Sequence, residues 1–218
     1  MNTVVLDKFP CEIEVAELLE KLHIKKGSDY SDEVERMAAE AQMLARPKIV
    51  YKEATIELKE DNFVVIDKIK LTSRVLKENM AEALKAYPFV ITCGTELEVW
   101  SNQYKDYFAN FCADTIKEMV LRSAIKLFEE QLDKEFGLGH AVNMNPGSLA
   151  EWPITEQIHV FNLLGDVEAL IGVRLTDSCL MLPVKSVSGI RFPKEGTYEN
   201  CQLCSREKCP SRKAPFGS

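Results

Sequence analysis

The region spanning residues 96–136 constrains the fold most. Leu121, Ile125, Phe128, Leu132 and Phe136 recur every three or four residues, and Cys112, Ile116, Val120 and Ala124 form a neighbouring stripe. Two adjacent apolar stripes make a face too wide for a surface helix, so the spacing predicts a central helix that other elements must cover. We place a break near Ala109-Asn110 and the end at Gly137 and Gly139. The cover comes from short runs rich in β-branched residues: Lys48–Tyr51, 55–58, Phe63–Ile66, 69–71, 89–92 and 140–144. Shorter helices are expected over 14–22, from a Ser31 or Asp32 cap to about Ala45, from Thr72 or Ser73 to about Ala86 with Pro88 as its stop, and over 155–164. The fold class is therefore α+β: a mixed, mainly antiparallel twisted sheet with flanking helices. The long helices should cover one sheet face and leave a concave face for a ligand.

Two polar segments stand out against this frame. In the first, apolar runs 171–175 and 179–182 flank Thr176-Asp177-Ser178, the pattern of two short strands joined by a turn. Pro183 ends the ladder, and Lys185-Ser186-Val187-Ser188-Gly189 follows as a tight polar loop. Two hydroxyls, an ammonium and a glycine suit a surface that takes hydrogen bonds at close backbone approach; a well-capped loop fits the same residues. The second segment is the loop Asn145-Pro146-Gly147-Ser148, leading to Trp152. Gly147 leaves room for a ligand beside the backbone. Trp152 either stacks on a ligand ring or cation, worth about 1–2 kcal/mol when desolvated, or is a core tryptophan. The two loops are expected to converge on one hollow.

Composition excludes several alternatives. A net charge of −7 over 218 residues argues against nucleic acid or an anionic membrane as the main partner. No apolar run approaches the roughly 20 residues of a membrane span, and the start Met1-Asn2-Thr3 lacks the layout of a signal peptide. We expect a cytoplasmic protein with reduced cysteines. Residues 1–192 read as one domain and 193–218 as a basic, cysteine-containing tail. There Cys201, Cys204 and Cys209 are separated by two and four residues, a spacing that lets sulfurs turn back on one zinc ion or iron–sulfur cluster. A reduced tail without metal is the other reading. No P-loop, G-x-G-x-x-G or G-x-S-x-G string is present, and no catalytic residue is assigned.

Leu175-Thr176-Asp177-Ser178, then Pro183, then Ser186-Val187-Ser188-Gly189, resembles the activation domain of cobalamin-dependent methionine synthase. Asn145-Pro146-Gly147-Ser148, Trp152-Pro153 and Gln157 agree in order and spacing, so the resemblance covers roughly residues 140–192. It implies an S-adenosylmethionine site at Asn145, Pro146, Gly147, Ser148, Trp152, Lys185, Ser186, Ser188 and Gly189. It also implies a role in reductive methylation of cobalamin, with an electron donor. The chain departs from the family where Asn143 and Ser148 stand for an arginine and a tyrosine that contact the ligand; Lys185 is the candidate replacement cation. The cobalt-ligating string D-x-H-x-x-G is absent, so any cobalamin belongs to a separate corrinoid protein. Two other roles remain open: a non-catalytic module that binds the corrinoid protein, and an iron–sulfur electron-transfer protein on the same fold.

Overall fold

The computed structural model describes residues 3–196, 200–204, 206, 208–209, 212 and 214–217. The fold is α+β, and every strand pairing among the described residues is antiparallel. The centre is β6 (Lys85–Thr92), buried at all but its first residue. On one side β6 pairs in turn with β2 (Lys48–Tyr51) and β3 (Ala54–Glu60), which continue into β1 (Val4–Leu6) and into β4 (Phe63–Ile66) and β5 (Ile69–Thr72). It also pairs with β10 (Ser186–Pro193), which carries β7 (Ala141–Met144) beyond it. A small separate hairpin joins β8 (Arg174–Leu175) to β9 (Met181–Leu182).

Side chains alternate across this sheet, as the two-residue period of a strand requires. Ile49, Tyr51, Tyr87, Phe89 and Ile91 face α5 (Tyr107–Phe136) and pack on its Ala124, Phe128 and Leu132. Val50 and Val90 face the other way, onto α6 (Gln157–Leu164) and α7 (Val167–Ile171). A helical cluster of α1 (Val15–Lys21), α2 (Asp29–Leu44), α4 (Thr95–Ser101) and the first half of α5 surrounds Val34, Met37, Leu97 and Ile116. A further core joins β4 and α3 (Arg74–Asn79) to β7 and β10. No helix of the described residues is long and apolar enough to cross a membrane.

Several boundaries differ from those expected. The long helical region breaks at residues 102–106, before Ala109, because the Asp106 carboxylate accepts the Ala109 N–H at 2.9 Å and starts α5 there. The cap of α2 is Ser28, three residues earlier than expected. Helix α3 stops at Asn79, and residues expected to be helical up to Ala86 open into β6 at Lys85. Pro88 lies inside this strand. Its missing donor falls where β2 ends, at Tyr51 opposite Phe89, and before β3 begins, at Ala54 opposite Ala86. Ile171 ends a helix where a strand was expected: Asp166 caps α7 through Ala169 N, and Gly172 closes it at φ 76°. Ser186–Gly189, expected as loop, are strand.

Phe128 is fully buried, with ring centroids 5.7 Å from Tyr51 and 4.7 Å from Phe89. Phe128→Ala is expected to lower unfolding free energy by about 3–5 kcal/mol in a urea titration. A loss below about 1 kcal/mol would show that α5 is not the cover of the sheet.

Candidate functional site

β7 reaches only as far as Met144, whose register partner is Ile190. Residues 186–189 of β10 therefore meet β6 on one side and have no strand on the other. The segment after β7 fills that place: Asn145 Nδ2 donates to the Ser188 carbonyl at 2.8 Å. The loop is closed by Ser148, whose N–H and hydroxyl both donate to the Asn145 carbonyl, at 3.1 and 2.6 Å. Gly147 N donates to the Trp152 carbonyl at 2.7 Å. The two polar segments expected to converge are thus in direct contact.

The contact is closer than a shared hollow. A Cβ at Gly189 would stand 2.5 Å from Asn145 Nδ2, 2.6 Å from the Met144 carbonyl and 2.9 Å from Phe89 Cζ. The glycine serves an approach of the chain to itself. Gly147, at φ 82°, similarly faces Ile154, whose Cβ would lie 3.1 Å from a side chain there. Pro146 is buried, while Gly147 and Ser148 are exposed.

The remaining predicted residues divide by role. Ser188 is buried and its hydroxyl donates to Gln157 Oε1 at 2.6 Å; Gln157 Nε2 in turn donates to the Cys179 carbonyl at 2.6 Å. Ser186 Oγ lies 2.7 Å from the Pro183 carbonyl and 2.9 Å from Thr92 Oγ1. Trp152 has no exposed surface and sits in the core with Leu149 and Val160, so its ring faces are occupied by side chains. Its indole N–H is buried without a partner. Lys185 is committed to α5, 2.8 Å from Asp114 and 3.7 Å from Glu118. Beneath it, burial pushes the Cys93 thiol up to about 12, against the pull of the Lys117 ammonium, so this sulfur stays protonated at neutral pH.

Sequence reasoning missed the principal cation. Arg191 is 6% exposed and stands opposite Asn143 in the β10–β7 register. It donates to Asn143 Oδ1 at 3.1 Å and lies 3.5 Å from Glu129 and 3.6 Å from Asp133 on α5. Asn143 Nδ2 donates to Glu129 Oε1 at 2.6 Å. The Arg191 Nε is buried without a partner. The available signal was an arginine between Ile190 and Phe192, a charge in the buried alternation of a strand.

His140 donates its Nδ1–H to the Lys194 carbonyl at 2.7 Å. With Leu84, Tyr87 and Pro193 it lines a cleft of about 580 Å³. A more apolar groove of about 840 Å³ lies between α2 and α4, lined by Met43, Leu44, Val99 and Trp100. Residues 145–148 line neither. Cys201, Cys204 and Cys209 are half-buried, and Cys204 packs against the core containing Leu149 and Trp152. Among the described residues no three His, Cys, Asp or Glu side chains are gathered to hold a metal ion.

A family model described as the activation domain of vitamin B12 dependent methionine synthase matches residues 101–212. The fold is similar to the crystal structure of the MetH reactivation domain bound to AdoHcy, with a TM-score of 0.61 and 16% identity over 84% of this chain and 67% of that one. No curated protein sequence matches the chain.

Gly189→Ala is expected to cost about 1–3 kcal/mol, because backbone of β7 and the Phe89 ring must both give way. Adding Asn145→Ala should recover only part of the loss, since the Met144 carbonyl remains. Full recovery, measured by thermal melting, would show that Asn145 alone sets the requirement.

Proposed function

This chain belongs to the family of the vitamin B12 dependent methionine synthase activation domain, and from that membership we propose that it is the activation component of a corrinoid methyltransferase system. It docks on a separate corrinoid protein, holds S-adenosylmethionine against it and supports reductive methylation of the corrinoid. Cobalamin carried by the partner would supply the methyl-accepting metal and S-adenosylmethionine the methyl group, with a separate donor supplying the electron. This chain's residues bind, orient and exclude water.

The observation that carries the reading is the tie between Asn145 and the Ser188 carbonyl. It fixes the family's two loops together with Gly147 and Ser148 open to solvent. Ile154, beside Gly147, is exposed, as are Ile158, Leu180 and Val184, and these offer apolar surface for a partner to cover. The amino-acid end of the ligand carries one carboxylate and one ammonium. Arg191, paired in register with Asn143, offers a guanidinium, and Glu129 and Asp133 offer carboxylates. In this reading Arg191 takes the role of the family's arginine from the neighbouring strand, and Lys185 does not.

One observation favours a second reading. Asn143 holds Glu129, and Arg191 is already matched by two carboxylates. A module with its cation so engaged would dock on the corrinoid protein and present the cofactor without transferring methyl.

Calorimetry with S-adenosylmethionine, with and without a cobalamin-loaded partner, separates the two. Methyl transfer requires heat of binding in at least one case. Arg191→Gln is expected to weaken that binding tenfold or more, and Lys185→Gln less than threefold, in variants verified as folded by circular dichroism. Binding that survives Arg191→Gln but fails with Lys185→Gln would reassign the cation. Absence of heat from the unaltered chain in both conditions would exclude the methyl-transfer role and leave the docking module.

A further inference from the structure

The groove between α2 and α4 stands apart from the two loops, since none of its lining residues lies within 140–192. Its apolar surface is made by Met43, 70% exposed, and Val99, 72% exposed, with Leu44 and the indole of Trp100 beside them. Single exposed apolar residues are ordinary on a protein surface, whereas several gathered in one concavity mark a place where something binds. The floor of the groove is fixed. Leu97 and Trp100 of α4 share a buried cluster with Met37 and Ala41 of α2, so the two helices cannot part without opening that core. Glu40 is held at both oxygens: Arg36 lies 2.9 Å from Oε1, and Trp100 Nε1 and the Tyr104 hydroxyl donate to Oε2 at 3.4 and 3.2 Å. The bond from Trp100, then that from Tyr104 and the charge of Arg36, hold this carboxyl below the usual carboxylate range, so it is an anion at neutral pH. A groove already in this form costs little ordering when a partner enters it.

Charge selects the occupant. The charged residues that line the groove, Glu40 and Glu96, are both carboxylates. Helix α2 carries Asp29, Asp32, Glu33, Glu35 and Glu40 against Arg36, and α4 carries Glu96 and Glu98 with no base. Lys48 and Lys117 answer Glu96 and Glu98 from other elements, at 3.6 and 3.0 Å, so the negative field comes mainly from α2. A second copy joined through this groove would set one α2 against another, and their like charges would repel. An anionic lipid surface is disfavoured for the same reason. The chain's own basic tail is placed elsewhere, with Leu203 beside Leu149 and Glu151. Strand addition needs a sheet edge, and both walls here are helices, which leaves a helix laid in the groove.

We propose that the groove between α2 and α4 docks a basic amphipathic helix of a partner protein, with its apolar side chains on Met43, Leu44, Val99 and Trp100 and its lysines or arginines facing the carboxylates of α2. The apolar contacts supply the affinity, and the charges set the orientation and exclude acidic helices.

The test uses the full chain and a labelled synthetic peptide of 16 residues, the length of α2. The peptide carries leucines at helical spacing and lysines on both flanks of that stripe. Two further peptides serve for comparison, one with glutamates in place of the lysines and one with the same composition in scrambled order. Fluorescence anisotropy should show the basic helix binding about tenfold or more tightly than either, with affinity falling as salt rises. Met43→Gln combined with Val99→Gln should weaken binding about fivefold or more, since both side chains are exposed and seat the leucines. Leu84→Gln, 74% exposed at a separate cleft, should leave it unchanged. Glu33→Gln combined with Glu35→Gln should weaken binding and flatten its salt dependence while all groove contacts stay in place. Circular dichroism verifies that each variant is folded. Absence of binding, equal affinity for the scrambled or the acidic peptide, or equal loss in Leu84→Gln overturns the site. Self-association of the unaltered chain in sedimentation, abolished by Met43→Gln with Val99→Gln, assigns the groove to a second copy and overturns the basic partner.

Discussion

One carbonyl on the half of β10 without a strand partner governs the geometry of the loops. A strand edge left without a neighbour presents unpaired backbone groups, and a buried one costs about 1–3 kcal/mol. The chain meets this at Ser188 with a side-chain amide instead of another strand. Asn145 is the first residue past β7, so its amide arrives at the height the missing ladder would occupy. The price of this substitution is steric. The amide and the Met144 carbonyl approach β10 so closely that residue 189 has no space for a side chain. The opposite face of the same strand is fixed by Gln157, which bonds Ser188 and the carbonyl of Cys179 together. A short polar strand is thus held by three elements.

The long helix contributes more than cover. Its apolar residues Phe128 and Leu132 alternate with Glu129 and Asp133, which meet Arg191, and farther up Asp114 and Glu118 meet Lys185. Both cations come from the β10 region and both are answered from α5. A buried guanidinium without partners would be far costlier than one with them, so the carboxylates and Arg191 stand or fall together. Asn143 suits this arrangement better than an arginine would. A second guanidinium beside Arg191 would repel it, whereas an amide accepts from Arg191 and donates to Glu129.

The sequence made the fold class legible because α5 and the strands of β2, β4 and β6 carry strong periodic patterns. The same pattern logic failed where local chemistry is shared between structures. Ser186-Val187-Ser188-Gly189 has turn composition, yet it is strand because β6 supplies a ladder and because small side chains are required beside Asn145 and Gln157. Val167–Ile171 is too short to show a helical period, and its signature lies only in Asp166 and Gly172 at its ends. At the candidate site, contact between the two loops was foreseeable from motif order. The direction of Lys185 was not, since nothing in the sequence near it names Asp114 as a partner 71 positions away. Arg191 was overlooked because it lies in an apolar triplet, where its neighbours Ile190 and Phe192 dominate any pattern.

The segment after β7 is held at both ends by different parts of the chain. Asn145 is tied to β10, and Leu149 to Trp152 lie against the tail through Leu203 and Cys204. Between these ends run the bond from Gly147 N to the Trp152 carbonyl and the bridge of Leu149 with Trp152, so the segment is a closed unit rather than a string. Displacement at one end cannot be absorbed by slack in the middle. A ligand shifts such an equilibrium only through a difference in its affinity for two arrangements. Whatever changes how Leu203 and Cys204 pack on Leu149 and Trp152 therefore acts on the loop.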